Sequence, residues 1–195
     1  TGSRAMFNSV SHALEAALMA DGVDPTDVNT VLRSEDGVDR AFAKLEEIAP
    51  DITVWYRGGS QAAQLMADEE IDFIHIGNGR VEALNADAVK VGFTWNQATT
   101  DADCLLVPKG APNRENAMRL INEILSAEAQ ARMAVAISYG PVNANAFNSG
   151  LISPELAAKN NAAPDNLKTQ VVIDPSFYVE NFAELQERFD TLVQQ

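Results

Sequence analysis

The first hundred residues alternate between helical and strand periodicity, and that alternation confines the chain to a mostly parallel sheet covered by helices. Leu14, Ala17 and Leu18 share one helical face that stops at Asp21 and Gly22, where glycine accepts the left-handed backbone common after a helix. Val38, Phe42, Leu45 and Ile48 repeat at helical spacing until Pro50 ends the run. Residues 52–56 are β-rich, and Gly58 and Gly59 break them before Ser60, an N-cap candidate for a helix reaching about Glu69. Residues 71–76 read as a strand closed by Gly77, Asn78 and Gly79, and residues 89–93 and 104–107 read as two more.

Beyond Pro112 the pattern becomes helix upon helix. Asn113 is placed to cap a helix carrying Ala117, Ile121, Ile124 and Leu125, and a second helix is predicted over 127–137. Pro154 after Ser153 and Pro175 after Asp174 mark two further helix starts. In the last helix Tyr178, Phe182, Leu185, Phe189 and Leu192 form an apolar stripe that must be covered. The expected organisation is an α/β lobe over residues 1–104, followed over 105–195 by a strand and a helical part. The stripe predicts either a homodimer through the C-terminal helix or the packing of that helix onto the chain's own lobe.

Composition narrows the function classes. With 195 residues and 46% hydrophobic content the chain can bury a sizeable core. The formal net charge is −14, of which −11 falls in residues 1–104 and −3 in 105–195. Such a balance argues against a nucleic-acid partner and suits either steering of cations or plain solubility. No apolar run approaches the roughly 18 residues of a membrane span, and no basic-then-apolar leader opens the sequence, so a signal peptide is absent, cleaved or not included. The single cysteine, Cys104, leaves no internal disulfide. Cys104, His12 and His75 supply a nucleophile and bases on paper, but Cys104 opens an apolar run and His75 lies inside one, which reads as core. Zinc spacings, a phosphate loop ending in Lys and Ser/Thr, and calcium loops are all missing, so an enzyme, a metal site and a cofactor are not expected.

In open α/β sheets ligands gather beyond the carboxyl ends of the strands, which directs attention to the loops at 57–60, 77–80 and 95–103. DADCLLVPKGAPN, residues 101–113, sets Asp101 and Asp103 before an apolar run that Pro108, Gly110 and Pro112 stop, a setting suited to a cationic ligand or to a solvated acid pair. Arg57 and Ser60 beside a helix N-terminus suit an anion instead, because free N–H groups there favour carboxylate or phosphate.

ALEAALMADGVDP (13–25), VDRAFAKLEEIAPDITVWY (38–56), SQAAQLMADEEIDFIHIGNGR (60–80), DADCLLVPKGAPN and SYGPVN (138–143), in that order, resemble the second half of the periplasmic spermidine/putrescine-type receptors of ABC transporters. The resemblance covers nearly the whole chain. It implies a type II periplasmic-binding-protein-like lobe, capture of polyamines for an ABC importer, a permease as partner and a periplasmic location. It places Asp103 as the acid that pairs with a ligand amine, Tyr139 in the pocket, and Asp101, Asn78, Ser60 and His12 as supporting residues. The sequence departs from the pattern where the family has Trp before Asn78, here Gly77, and Ser in the preceding glycine loop, here Gly58. The aromatic two residues before the matching Asp is Asp101. Loss of an aromatic wall forfeits ~1 kcal/mol or more of cation–π attraction. Because the family's first lobe is built mainly from sequence ahead of this stretch, a truncated relative acting as a non-transport binding or oligomerisation module is the alternative.

Overall fold

The computed structural model describes residues 2–87 and 89–194. In chain order the first elements are β1 (Arg4–Phe7), α1 (Val10–Ala20), α2 (Val28–Leu32), α3 (Gly37–Ile48), β2 (Val54–Tyr56), α4 (Gly59–Ala67), β3 (Phe73–Ile74), α5 (Asn78–Ala86) and β4 (Thr99–Thr100). They are followed by α6 (Arg114–Ile124), α7 (Ala127–Ile137), α8 (Pro154–Ala158), α9 (Pro164–Leu167), β5 (Val171–Val172) and α10 (Pro175–Val193). The chain divides into two compact units, one holding residues up to Thr100 and again from Thr169, the other holding Asp101–Lys168. This differs from the expected split at 104, because the last stretch, with β5 and α10, returns to the first unit.

In the first unit β1 lies between β2 and β3 and runs parallel to both, while β4 and β5 form a second parallel pair. Side chains alternate across the sheet as the pleat requires. Met6 and Trp55 face a core of Leu14, Leu18, Phe42, Leu45 and Phe189 from α1, α3 and α10, whereas Ala5 and Tyr56 face Ala62 and Ile71 on the other side. The mostly parallel α/β architecture with helices on both faces is therefore the one the sequence predicts. Helix α1 ends as expected: Gly22 sits at φ +86°, and the Val23 N–H donates to the Leu18 carbonyl at 3.0 Å.

The apolar stripe of α10 is covered by its own unit. Phe177, Tyr178, Leu185 and Phe189 are buried, the Phe189 ring meets Trp55 edge-on at 5.3 Å, and the Arg188 guanidinium lies 3.9 Å over the Phe42 ring. Only Phe182 stays largely exposed, at 44%. With the stripe covered in this way, the physical reason for a homodimer through that helix disappears. Asp174 caps α10 by accepting from the Ser176 N–H at 2.9 Å, and it also pairs with Arg33.

Three local expectations are corrected. Residues 89–93 form no strand; Val91 is tied instead to the Asn85 side chain, which donates to its carbonyl and accepts from its N–H. Residues 104–107 also form no strand, and Cys104, Leu105 and Leu106 are exposed, because no strand among the described residues pairs with them. The cysteine is thus not a core residue. Ser60 lies inside α4, whose N-cap is Gly58.

The second unit is helical, with a small core of Ala131, Ala134, Ala146 and Ile152. Ser126 caps α7 and Ser153 caps α8, each accepting from a first-turn N–H. The buried Gln130 ties the unit internally: its amide donates to the Ile124 carbonyl at 2.9 Å and accepts from the Val142 N–H at 3.0 Å. Among the described residues no helix is long and apolar enough to cross a membrane.

Candidate ligand-binding edge

Because β1, β2 and β3 are parallel, their carboxyl ends lie along one edge of the sheet, and the loops that follow carry Asn8 to His12, Arg57 to Gly59, and His75 to Asn78. His12, Ser60 and Asn78, three of the residues expected at the site, fall on this edge. Asp101, Asp103 and Tyr139 belong to the second unit. Asp101 and Asp103 are exposed and outside regular structure, and Tyr139 is exposed, its carbonyl accepting from the Asn160 amide at 3.3 Å.

Helices α4 and α5 begin at this edge with Gly58 and Gly77 as N-caps, residues that have no side chain with which to satisfy the first-turn N–H groups. At α1 the situation differs, since the Val10 N–H donates to the Gln186 side chain of α10 at 2.9 Å. Arg57 follows β2 directly and is exposed. Arg80, in the first turn of α5, lies against Gly59 so closely that a Cβ there would sit 2.9 Å from its Nε. Glycine at 59 thus lets a second guanidinium rest on the start of α4. A chain of net charge −14 therefore places two arginines and two side-chain-uncapped helix starts on one edge. Arg80 is absent from the expected site residues, although the strand-end loop singled out at 77–80 ends on it.

His12 and His75 are not core residues but half-buried members of this edge. Their rings lie 5.6 Å apart, and both bond the Thr99 hydroxyl, His12 through Nδ1 at 2.8 Å and His75 through Nε2 at 2.9 Å. His12 has φ +72° and ψ −37°, so regular helical geometry in α1 starts only after it. A non-glycine residue held there is strained by ~1–3 kcal/mol, and such strain gathers at functional sites. The His75 carbonyl accepts from the Tyr56 hydroxyl, whose pKa burial pushes up to about 12.

Below His12, Glu15 is fully buried. Its Oε1 accepts from the Tyr178 hydroxyl at 2.7 Å, and its Oε2 makes no hydrogen bond. Burial raises the Glu15 carboxyl above the ordinary range, opposed by the Tyr178 bond and the nearby His12, and the Tyr178 phenol is raised as well by burial and the Glu15 charge. Among the described residues no group of three or more His, Cys, Asp or Glu side chains could hold a metal ion.

The parallel sheet with helices on both faces and polar loops at its carboxyl edge fits a lobe of the periplasmic-binding-protein kind, and the comparisons with known proteins show that fold. The family model of the bacterial extracellular solute-binding proteins matches residues 1–164, and the chain belongs to that family, whose members are binding proteins and not enzymes. It is 32% identical over 189 residues to a gamma-aminobutyric acid-binding protein of Pseudomonas aeruginosa, covering 97% of this chain and 53% of that one. Among solved structures, an ABC transporter substrate-binding protein from Bradyrhizobium japonicum USDA 110 matches with a TM-score of 0.86 at 40% identity, covering 98% of this chain and 58% of the other. The PBP MotA from A. tumefaciens B6, solved in complex with glucopine, matches at 0.84 and 34% identity, covering 98% and 59%. The chain thus spans little more than half the length of these relatives.

Proposed function

We propose that this chain is the ligand-bearing part of a periplasmic solute receptor that delivers a small carboxylate-bearing amine, of the γ-aminobutyric acid kind, to an ABC importer. The observation that carries the reading is the concentration of Arg57, Arg80 and the α4 and α5 starts on the carboxyl edge of the sheet. A carboxylate there gains charge-assisted bonds from guanidinium and N–H groups that an all-cationic ligand cannot use. The relative in Pseudomonas aeruginosa carries the name of such an acid, which supports the class. On this reading the first unit corresponds to the second lobe of a two-lobed receptor, and a permease is the partner.

A second reading, polyamine capture, is favoured by the exposed acids Asp101 and Asp103, with Asp103 pairing the ligand ammonium. Calorimetry at low salt with γ-aminobutyrate, putrescine and spermidine separates the two. The carboxylate reading expects γ-aminobutyrate to bind and Arg57→Gln to weaken it by about 10- to 150-fold, the equivalent of ~1.5–3 kcal/mol for a bond to a charged group. The polyamine reading expects heat with spermidine that Asp103→Asn diminishes and Arg57→Gln leaves alone. Absence of heat with γ-aminobutyrate at millimolar concentration, or an Arg57→Gln variant that binds it like wild type, overturns the carboxylate reading.

A further inference from the structure

Helix α10 reaches α1 with two side-chain bonds, and the strained residue His12 lies between them. On one side the Val10 N–H donates to Gln186 Oε1 at 2.9 Å; on the other the Tyr178 hydroxyl donates to Glu15 Oε1 at 2.7 Å. These partners are 176 and 163 residues apart in sequence, and Gln186 and Tyr178 stand about two turns apart on α10. Gln186 is itself oriented, because its amide donates to Asp190 at 2.9 Å and so presents Oε1 to Val10. The residues before α1 do not supply this bond: the Ser9 side chain caps no N–H, and its hydroxyl pairs with that of Ser11 at 3.0 Å. Val10 and Glu15 are fully buried, where an unmet N–H or carboxyl oxygen carries its whole desolvation cost, so both bonds from α10 are strongly favoured.

A regular helix would run unbroken from Val10 to Glu15. Instead Ser11 is extended at ψ 145° and His12 turns at φ +72° and ψ −37°, which sets its imidazole 2.8 Å from the Thr99 hydroxyl. Strained backbone persists only where its surroundings over-determine it, and α10 supplies a fixed point on each side of this turn. We infer that Gln186 and Tyr178 are positioning residues: by gripping α1 at Val10 and Glu15 they hold His12 in its left-handed conformation on the ligand-bearing edge. The consequence for ligand capture rests on the function proposed above; the grip on His12 does not.

The experiment uses the chain without ligand. At positive φ the amide and α protons of one residue lie closer than in helical or extended backbone, so nuclear Overhauser spectra read the His12 conformation directly as a strong intraresidue cross-peak. The wild type should show it, and Gln186→Leu and Tyr178→Phe should each diminish it. Gln186→Glu combined with Asp190→Asn keeps both bonds with carboxylate and amide exchanged, and should restore it. Arg188→Ala loosens α10 from Asp39 and Phe42 of α3 without touching either grip, and should leave it unchanged. A weak cross-peak in the wild type, one undiminished in a folded Gln186→Leu or in Tyr178→Phe, or an equal loss in Arg188→Ala overturns the inference. Should Gln186→Leu not fold, Tyr178→Phe, which removes a single hydroxyl, still decides. Calorimetry with γ-aminobutyrate then reads the coupling: Tyr178→Phe weakens binding roughly 5- to 150-fold, the strain that a relaxed turn must regain on binding, and Arg188→Ala leaves it alone. A wild type that binds no γ-aminobutyrate refutes the proposed ligand while the spectra still judge the grip. Equal affinities in the wild type and in a Tyr178→Phe variant that has lost the cross-peak overturn the link between grip and capture.

Discussion

Replacing Phe189 with alanine tests whether the C-terminal helix docks where the structure puts it. The Phe189 side chain is fully buried between α1, α3 and the Trp55 ring. Truncating a buried phenylalanine costs ~3–5 kcal/mol, the sum of lost transfer energy and an unfilled cavity, and the edge-on contact with Trp55 contributes ~0.5–1.5 kcal/mol of that. Phe182, on the same helix but 44% exposed, serves as the control, and its truncation should cost about 1 kcal/mol or less. Urea unfolding followed by tryptophan fluorescence is suited to the comparison because Trp55 is itself the partner ring. With a slope of ~2 kcal/mol per molar urea, Phe189→Ala should move the midpoint down by about 2 M and Phe182→Ala by less than about 0.5 M. Neither midpoint should change with protein concentration. Equal shifts for the two variants, or a wild-type midpoint that rises with concentration, would refute docking within one chain and restore an exchange of helices between copies.

Three further outcomes follow from particular contacts. Gly59→Ala puts a Cβ 2.9 Å from the Arg80 Nε, so γ-aminobutyrate affinity measured by calorimetry should fall severalfold while the thermal midpoint holds or rises, since alanine exceeds glycine in helices by ~0.5–1 kcal/mol. Glu15 has a folded pKa raised above its unfolded value, so the folded state binds the extra proton and wild-type stability is lost as pH rises from the unfolded value of about 4.5 towards the folded one. Glu15→Gln should remove this fall, gaining on the wild type as pH rises in denaturant titrations between pH 4 and 8, and a constant difference across that range would count against the assignment. Asp174 is the opposite case, held down at about 2 by the Ser176 hydroxyl and Arg33: its contribution is present above the unfolded value and lost as pH falls through about 2. Asp174→Asn should therefore unfold less steeply with acid than the wild type, as read by circular dichroism.

The parallel α/β arrangement was legible because its signals are local. Pro50 and Gly22 stop helices by backbone geometry that needs no distant partner, and residues 127–137 match α7 because apolar spacing and the Ser126 cap agree. Strands carry less of their own cause. The apolar run at 104–107 has the composition of a strand, yet a strand exists only when another backbone pairs with it, and none of the described strands does. The α10 stripe was visible for the same local reason as the other helices. What covers it was not, because Trp55 and Phe42 reach it from far along the chain.

The site divides along the same line. Sequence position alone puts Ser60 and Asn78 in loops after predicted strands and His12 near the start of the first helix, but Thr99, Glu15 and Arg80 matter through what tertiary packing brings to them. Glu15 sits among apolar neighbours in ALEAALMA, where a charged residue reads as the solvated face until Tyr178 of α10 closes over it. The departures from the polyamine receptors were present in the sequence, and structure supplies their sense. Gly58 and Gly77 stand where those receptors have serine and tryptophan, and in the fold these two glycines are the N-caps of α4 and α5. Glycine in place of serine at 58 leaves the first-turn N–H groups of α4 without a side-chain cap, beside Arg57 and Arg80. Under the carboxylate reading proposed above, the lost aromatic wall would disfavour an ammonium while the uncapped α4 start suits a carboxylate, so motif order carries the family and the loops carry the proposed ligand.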